Sequence, residues 1–160
     1  YVINSSGSPA NTIVNTGGQP DDVPVVADFD GDGKVDITVR RGTVWMGTLS
    51  GGGTLNVDFG LADDILVPAD YDGDDKDDVA VWRPSDGTWR YIRSSDNSPA
   101  TFAFGMTGDI PVPGDYDGDG TDDFAVYRGG TWYIQRSTSG FFAAPFGLAS
   151  DSPIPEFYTP

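Results

Sequence analysis

A nine-residue acidic segment occurs three times along this chain at nearly constant spacing. The copies run from Asp28 to Asp36, from Asp70 to Asp78 and from Asp115 to Asp123, and we call them loops 1, 2 and 3. Each has aspartate at positions 1, 3, 5 and 9 and glycine at position 4, and their first residues are 42 and 45 residues apart. Self-similarity at this period is typical of proteins built from one repeated supersecondary unit.

Each repeat also carries strand-like segments at similar distances from its loop. Trp45, Trp89 and Trp132 follow the loops, and a Phe-Gly pair begins later at positions 59, 104 and 146. In the third repeat the segments span 110–114, 124–128, 131–136 and 141–146. Four short strands in 42 to 45 residues predict the antiparallel blade of a β-propeller.

We therefore predict an all-β fold, a single β-propeller domain over residues 1–160 with repeats at approximately 22–60, 64–105 and 109–147. The segments are rich in Val, Ile, Phe, Tyr and Trp, which favour strands. The 22 glycines and 12 prolines would disfavour any helix placed across the repeats, so we expect almost no helix.

The two ends of the chain predict a fourth, split blade. Residues 1–15 match the third and fourth strands of a blade, and residues 150–158 match a first strand, with Glu156 where a fourth acidic loop would begin. Joining these pieces protects the edges of an open sheet. Closure within one chain gives a small four-bladed ring with one incomplete blade. Closure between chains gives a dimer of seven or eight blades, or an open head-to-tail filament.

The carboxylates of one loop would repel each other unless a cation lay between them. Ca²⁺ accepts about six to eight oxygen ligands in flexible geometry, which alternate side chains and the backbone carbonyl of position 7 supply. We therefore predict three Ca²⁺ ions per chain. The predicted ligands are Asp28, Asp30, Asp32, Asp36 and the Lys34 carbonyl in loop 1; Asp70, Asp72, Asp74, Asp78 and the Lys76 carbonyl in loop 2; and Asp115, Asp117, Asp119, Asp123 and the Thr121 carbonyl in loop 3.

Two alternatives compete with this interpretation. Aspartate and glycine are common in solvated β-turns, but three in-phase copies of one ligand spacing favour a metal site. Mg²⁺ is a weaker candidate because it requires near-ideal octahedral geometry and retains its waters. Twelve of the 25 acidic residues lie at the side-chain ligand positions, so folding without the ions should suffer from self-repulsion.

Composition disfavours several classes of function. The chain has no cysteine and no histidine, which excludes zinc sites of the usual type and Ser-His or Cys-His nucleophile pairs. A formal net charge of -16 would repel nucleic acid, and no apolar run is long enough to span a membrane. We expect no enzyme activity, and we interpret Asp21-Asp22 and Asp63-Asp64 as turn and solubility residues.

With their in-phase Trp and Phe-Gly residues, the three loops resemble the FG-GAP/VCBS repeat family. Repeats of that family build β-propellers in secreted or cell-surface proteins, including integrin α subunits and bacterial exported proteins. They bind calcium in the loop between the first two strands of a blade. The resemblance thus implies an extracellular setting, and weak calcium sites fill only where calcium is plentiful. It is less informative about function, because such blades serve adhesion, sugar binding and scaffolding.

The four tryptophans are the remaining candidates for ligand binding, as a surface on which sugars stack. Trp45, Trp89 and Trp132 recur at one repeat position, which favours packing between blades, whereas Trp82 lies outside that register and is the freer candidate. We expect a secreted calcium-binding β-propeller acting as a non-catalytic binding or adhesion module for a glycan or an extracellular protein. The alternative is a self-assembling structural protein that forms homo-oligomers or filaments by sharing the split blade between chains.

Overall fold

Twelve short β-strands make up the regular structure of residues 18–154, the part of the chain that the computed structural model describes. Within that range there is no helix, and therefore none that could cross a membrane. The strands are β1 (Val23–Val25), β2 (Ile37–Arg41), β3 (Val44–Thr48), β4 (Thr54–Asp58), β5 (Ile65–Leu66), β6 (Val79–Arg83), β7 (Thr88–Ile92), β8 (Pro99–Ala103), β9 (Ile110–Pro111), β10 (Phe124–Arg128), β11 (Thr131–Arg136) and β12 (Gly140–Pro145).

These strands form three four-stranded antiparallel sheets, one for each repeat. Sheet 1 contains β1 to β4, sheet 2 contains β5 to β8 and sheet 3 contains β9 to β12, and in each sheet the strands are neighbours in chain order. The all-β prediction and the four strands per repeat are confirmed. Of the two predicted pieces of the split blade, residues 1–15 lie outside the described residues, as do residues 155–158 of the second piece, 150–158. Residues 150–154 contain no strand, and the split blade stays a prediction.

Side-chain alternation determines which face of each strand is buried. In β7, Trp89 and Tyr91 are buried, whereas Thr88, Arg90 and Ile92 between them are partly exposed. Trp89 is paired with Trp82 on β6 and with Phe102 on β8, so the three rings lie on one face of sheet 2. The tight turn before β7 uses Gly87 at φ 68°, where an added Cβ would lie 2.4 Å from the carbonyl oxygen of Gly105.

The sheets pack on one another in chain order through apolar residues of this kind. Trp45 of sheet 1 belongs to one buried cluster with Val79 and Val81 of sheet 2. Sheet 2 packs on sheet 3 in the same way, where Phe124 stacks on Phe102 at 4.5 Å and on Tyr71 at 4.9 Å between ring centroids. Each sheet therefore completes its core with residues of the next one.

An arginine–aspartate pair ties the last residue of each second strand to the turn before the first strand. The pairs are Arg41 with Asp22, Arg83 with Asp64, and Arg128 with Asp109, and each is bidentate. Each of these aspartates also accepts a hydrogen bond from the backbone N–H of the residue three positions before it. These donors are Gln19, Leu61 and Met106. Asp22 and Asp64, interpreted from the sequence as simple turn residues, thus also hold the second strand in place.

We predict that Arg83→Ala lowers the free energy of unfolding by about 1 to 3 kcal/mol, because it leaves the buried Asp64 carboxylate without its partner. Arg90 provides the matched control, since its pair with Asp86 is more exposed on both sides. Arg90→Ala should change stability by no more than about 0.5 kcal/mol. Urea unfolding of both variants measures the difference, and equal effects would contradict a special role for the repeated pair.

Candidate metal sites

Each acidic loop connects the first strand of its sheet to the second. Its ninth residue is a buried aspartate at the base of the loop: Asp36, Asp78 and Asp123. The backbone N–H of this aspartate donates to the carbonyl oxygen of the residue that precedes the loop, which is Ala27, Ala69 or Gly114 respectively. The loop is thereby closed at its base before the second strand begins.

The first aspartate of each loop shapes the backbone. In loop 1, Asp28 accepts hydrogen bonds from the N–H groups of Gly31 at 2.8 Å and Gly33 at 2.7 Å. Asp70 and Asp115 accept from the corresponding residues of loops 2 and 3. The backbone must turn through positive φ at position 4, where Gly31, Gly73 and Gly118 have φ between 75° and 77°.

These turns bring three carboxylates of each loop together. Every triad offers oxygen atoms that lie within 4.8 Å of one another, close enough to share one cation. The triads are Asp28, Asp30 and Asp32 in loop 1; Asp70, Asp72 and Asp74 in loop 2; and Asp115, Asp117 and Asp123 in loop 3. All nine residues belong to the set predicted from the sequence.

Position 9 has a second role that the sequence did not reveal. Asp36 accepts the N–H of Phe29 at 2.8 Å with one oxygen and the N–H of Ser50 at 2.6 Å with the other. Asp78 and Asp123 accept the equivalent pairs of N–H groups. This aspartate therefore joins its loop to the hairpin between the third and fourth strands, and only Asp123 also belongs to a triad.

In loops 2 and 3 the aspartate at position 3 carries one oxygen that is buried and unpaired. The Oδ1 atoms of Asp72 and Asp117 are buried and accept no hydrogen bond from the protein. Their Oδ2 atoms accept from Ser95 and from Ser139. A buried carboxylate oxygen without a donor is costly, and a cation within the triad would remove that cost.

Hydroxyl groups of the hairpin between the third and fourth strands line the sites, and we did not predict them as site residues. Ser50 donates to Asp32 at 2.8 Å, Ser94 to Asp74 at 2.7 Å, and Ser137 to Asp119 at 2.6 Å. Thr138 also donates to Asp119. The sequence contains a sign of this role, because hydroxyl residues recur at the same position after each third strand. A polar turn accounts for such residues equally well, so the recurrence alone did not identify them.

Position 7 contacts the loop through its backbone N–H in this structure. Lys34 donates to Asp32, Lys76 to Asp74 and Thr121 to Asp119. The Lys34 ammonium also pairs with Asp32 at 2.6 Å, and the Lys76 carbonyl accepts from Ser94 at 3.4 Å. Coordination by the position-7 carbonyls stays a prediction.

Consecutive loops are bonded to each other at position 8. Asp77 of loop 2 accepts the N–H of Asp28 at 2.5 Å, and its own N–H donates to the Asp28 carbonyl at 2.8 Å. Asp122 of loop 3 makes the same two bonds with Asp70. The equivalent residue of loop 1 is Val35, which is exposed.

The carboxyl groups of the sites titrate differently from one another. Burial raises the pKa of Asp78 to about 7 and that of Asp77 to about 6. Burial also raises the pKa of Asp36 and Asp123, whereas hydrogen bonds from backbone N–H groups, that of Gly120 first, lower the pKa of Asp115. Asp77 and the three position-9 aspartates thus carry their charge less readily than an exposed carboxylate does.

The tryptophans proposed as a sugar-stacking surface occupy interior positions. Trp45, Trp82 and Trp89 are fully buried, and each donates its indole N–H to a backbone carbonyl, of Phe59 or of Phe104. Trp132 is partly exposed. Trp82 is therefore not the freer residue, because a buried indole offers no face to a sugar ring.

Residues 18–154 thus form an all-β repeat structure with three acidic loops, each arranged so that it could hold a metal ion. Comparison with protein-family models, with curated proteins and with solved structures finds no match. The likeness to FG-GAP/VCBS repeats rests on the loop spacing and on the in-phase Trp and Phe-Gly residues alone.

Loop 2 carries a strained residue that its sister loops avoid. Asp75 has φ 65° at position 6, where Gly33 and Gly120 stand in the other loops. We predict that Asp75→Gly raises the free energy of unfolding by about 0.5 to 1 kcal/mol, because glycine adopts this conformation without steric cost. Asp75→Ala removes the same charge but keeps a Cβ, and it should not stabilise. Equal unfolding midpoints for the two variants would show that the stabilisation comes from the lost charge and not from relief of backbone strain.

In a chelator, the protein should melt at a higher temperature at pH 5 than at pH 8. The folded-state pKa values of Asp77 and Asp78, about 6 and about 7, lie above the unfolded value. The folded state therefore binds more protons between about pH 4 and pH 7, and its stability falls as pH rises through that window. Calorimetry across this range measures the slope. Asp77→Asn should flatten it, and an unchanged slope in this variant would contradict the assignment.

Proposed function

We propose that each acidic loop binds one Ca²⁺ ion, giving three ions per chain. The observation that carries this proposal is the buried Oδ1 of the position-3 aspartate in loops 2 and 3, which belongs to a residue of the carboxylate triad and has no hydrogen-bond donor from the protein. Many of the other carboxylate oxygens of the loops accept hydrogen bonds from N–H and O–H groups of the protein. A cation would contact the oxygens that lack such donors.

Calcium fits the loops better than magnesium does. The oxygens available to an ion come from flexible loop side chains, and several of them also accept hydrogen bonds, which leaves an irregular ligand set. Ca²⁺ tolerates such sets, whereas Mg²⁺ requires near-ideal octahedral geometry and retains most of its waters. Oxygen-only donors also disfavour the softer transition metals.

The three sheets are consecutive blades of a β-propeller, and the ions hold the loops on one side of it. Supporting this arrangement, each sheet packs on the next through the same positions, and loops 1 to 3 are bonded in sequence through Asp77 and Asp122. The FG-GAP/VCBS resemblance implies the same architecture and a secreted or cell-surface location, where calcium is abundant.

The protein acts in this proposal as a non-catalytic binding module. The buried carboxylates of residues 18–154 are committed to structure: Asp64 and Asp109 to arginines, and Asp36, Asp70, Asp78 and Asp123 to backbone N–H groups. Asp77 and Asp122 line a cavity of about 390 Å³ between the loop bases. Each of these two carboxylates accepts a hydrogen bond from the neighbouring loop. A protein partner is favoured over a glycan, because three of the four indoles are buried.

Calcium titration tests the metal assignment. We expect isothermal calorimetry to give three ions per chain, and saturating calcium to raise the melting temperature by several degrees or more. Asp117→Ala should reduce the stoichiometry from three to two, since it removes the whole carboxylate of this residue, including the buried Oδ1 of loop 3.

Asp63→Ala is the matched control, because Asp63 is exposed and lies outside the loops. It makes the same change of charge and should leave the stoichiometry at three. Equal melting temperatures in calcium and in chelator, or binding that saturates equally well with Mg²⁺, would refute the calcium assignment.

A further inference from the structure

The stack of three sheets ends in two apolar faces that are both exposed. We define the trailing face by Trp132, Phe142 and Phe146 of sheet 3, and the leading face by Ile37, Val39 and Met46 of sheet 1. Phe146 is 78% exposed and Ile37 is 39% exposed. Side chains of this kind are usually covered when several lie together on one surface.

The same positions are covered at both junctions inside the chain. Phe59 and Phe104, the counterparts of Phe146, are packed against the next sheet. Val79, the counterpart of Ile37, is buried at the junction of sheets 1 and 2. Each internal junction therefore joins a trailing face to a leading face, and the part of the chain that the structure describes has one further copy of each face at its ends, with Ile37, Phe142 and Phe146 exposed.

Consecutive acidic loops also lie against each other in a fixed order. A Cβ at Gly31 would lie 2.8 Å from the Lys76 side chain, and a Cβ at Gly73 would lie 2.8 Å from Thr121, so position 4 of one loop touches position 7 of the next. At Gly118 an added Cβ would meet nothing within 4 Å. Loop 3 thus has an open side, and Lys34 and Val35 of loop 1 are the exposed residues that correspond to its missing neighbour.

We propose that the trailing face of one chain binds the leading face of a second copy of the chain. A second copy is the partner that this arrangement favours, because the equivalent leading faces of sheets 2 and 3 already pack on trailing faces within each molecule. The interface joins two different surfaces, so each bound chain still presents one free face of each kind. Association is therefore head-to-tail and produces a ring or a filament. It needs no exchange of strands between chains.

Charge opposes this association and makes it dependent on salt. Each chain has a formal charge of -16, so two copies repel one another at low ionic strength. Sedimentation velocity from micromolar to near-millimolar chain concentration, in saturating calcium and at moderate and high salt, should show dimers and larger species. The larger species should increase with chain concentration and with salt.

Two variants test the faces separately. Phe146→Asp removes the trailing face, Ile37→Asp removes the leading face, and each should weaken self-association by roughly tenfold or more. An equimolar mixture should form dimers and nothing larger, because each variant still offers the face that the other has lost. A symmetric interface that used one patch twice would not give this complementation, and its absence would overturn the proposal.

The control is Ile65→Ser, which changes an apolar residue of the middle sheet with nearly the same exposure as Ile37. It should associate as the unchanged chain does, and circular dichroism should show all variants folded. A chain that is monomeric at every concentration would overturn the proposal. If Phe146→Asp also lowered the melting temperature of that monomer, the trailing face would be assigned to a segment of its own chain instead.

Val35→Asp tests the register of the loops in the interface. At the internal junctions an aspartate at this position accepts the N–H of the first residue of the neighbouring loop. Restoring it in loop 1 would allow the same bond to the Asp115 N–H of the second copy. We expect association to tighten severalfold, and unchanged or weaker association would overturn the proposed register.

Discussion

The buried aspartate at position 9 is the contact on which each repeat depends. Its two oxygens accept one N–H from its own loop and one from the hairpin between the third and fourth strands. A charged group away from water requires such donors, and here the donors come from two segments that are distant in sequence. The acidic loop and the far hairpin of the sheet are therefore fixed by the same carboxylate.

The cost of this arrangement is a concentration of like charge. Each loop places further carboxylates beside the buried one, and hydrogen bonds from backbone N–H groups compensate only part of their repulsion. A divalent cation supplies the remainder in the proposed state, so the stability of the sheets and the occupancy of the loops are coupled. With calcium as the proposed cation, the stability of the fold would follow the calcium concentration of its surroundings.

Repetition extends this local logic along the stack. Aromatic residues of one sheet pack on the next, and the position-8 aspartates bond consecutive loops, so each junction combines apolar burial with a polar contact at the loop end. A linear stack of repeats ends in faces that its own neighbours do not cover. Here those faces belong to the first and third sheets, and their complementarity is the basis for expecting association between copies.

Much of the fold and of the site could be predicted because their signals are local and periodic. The four strands per repeat, the antiparallel sheets and all nine triad aspartates were predicted from the sequence. The hydroxyl groups of Ser50, Ser94 and Ser137 were missed, because a serine in a turn looks alike whether it bonds to water or to a loop folded over it. The arginine partners of Asp22 and Asp64 were missed as well, although each pair recurs at the same spacing of 19 residues in all three repeats.

The sequence alone determined the number of repeats, the ligand spacing of the loops and the alternation that selects the inward face of each strand. These features depend on residues that are neighbours in the chain. Only the tertiary structure decided that Trp82 is buried, that Asp77 bonds to Asp28, and that Phe146 and Ile37 remain exposed. Those outcomes depend on which sheet lies against which, and packing between distant segments is not encoded in the local pattern of residues.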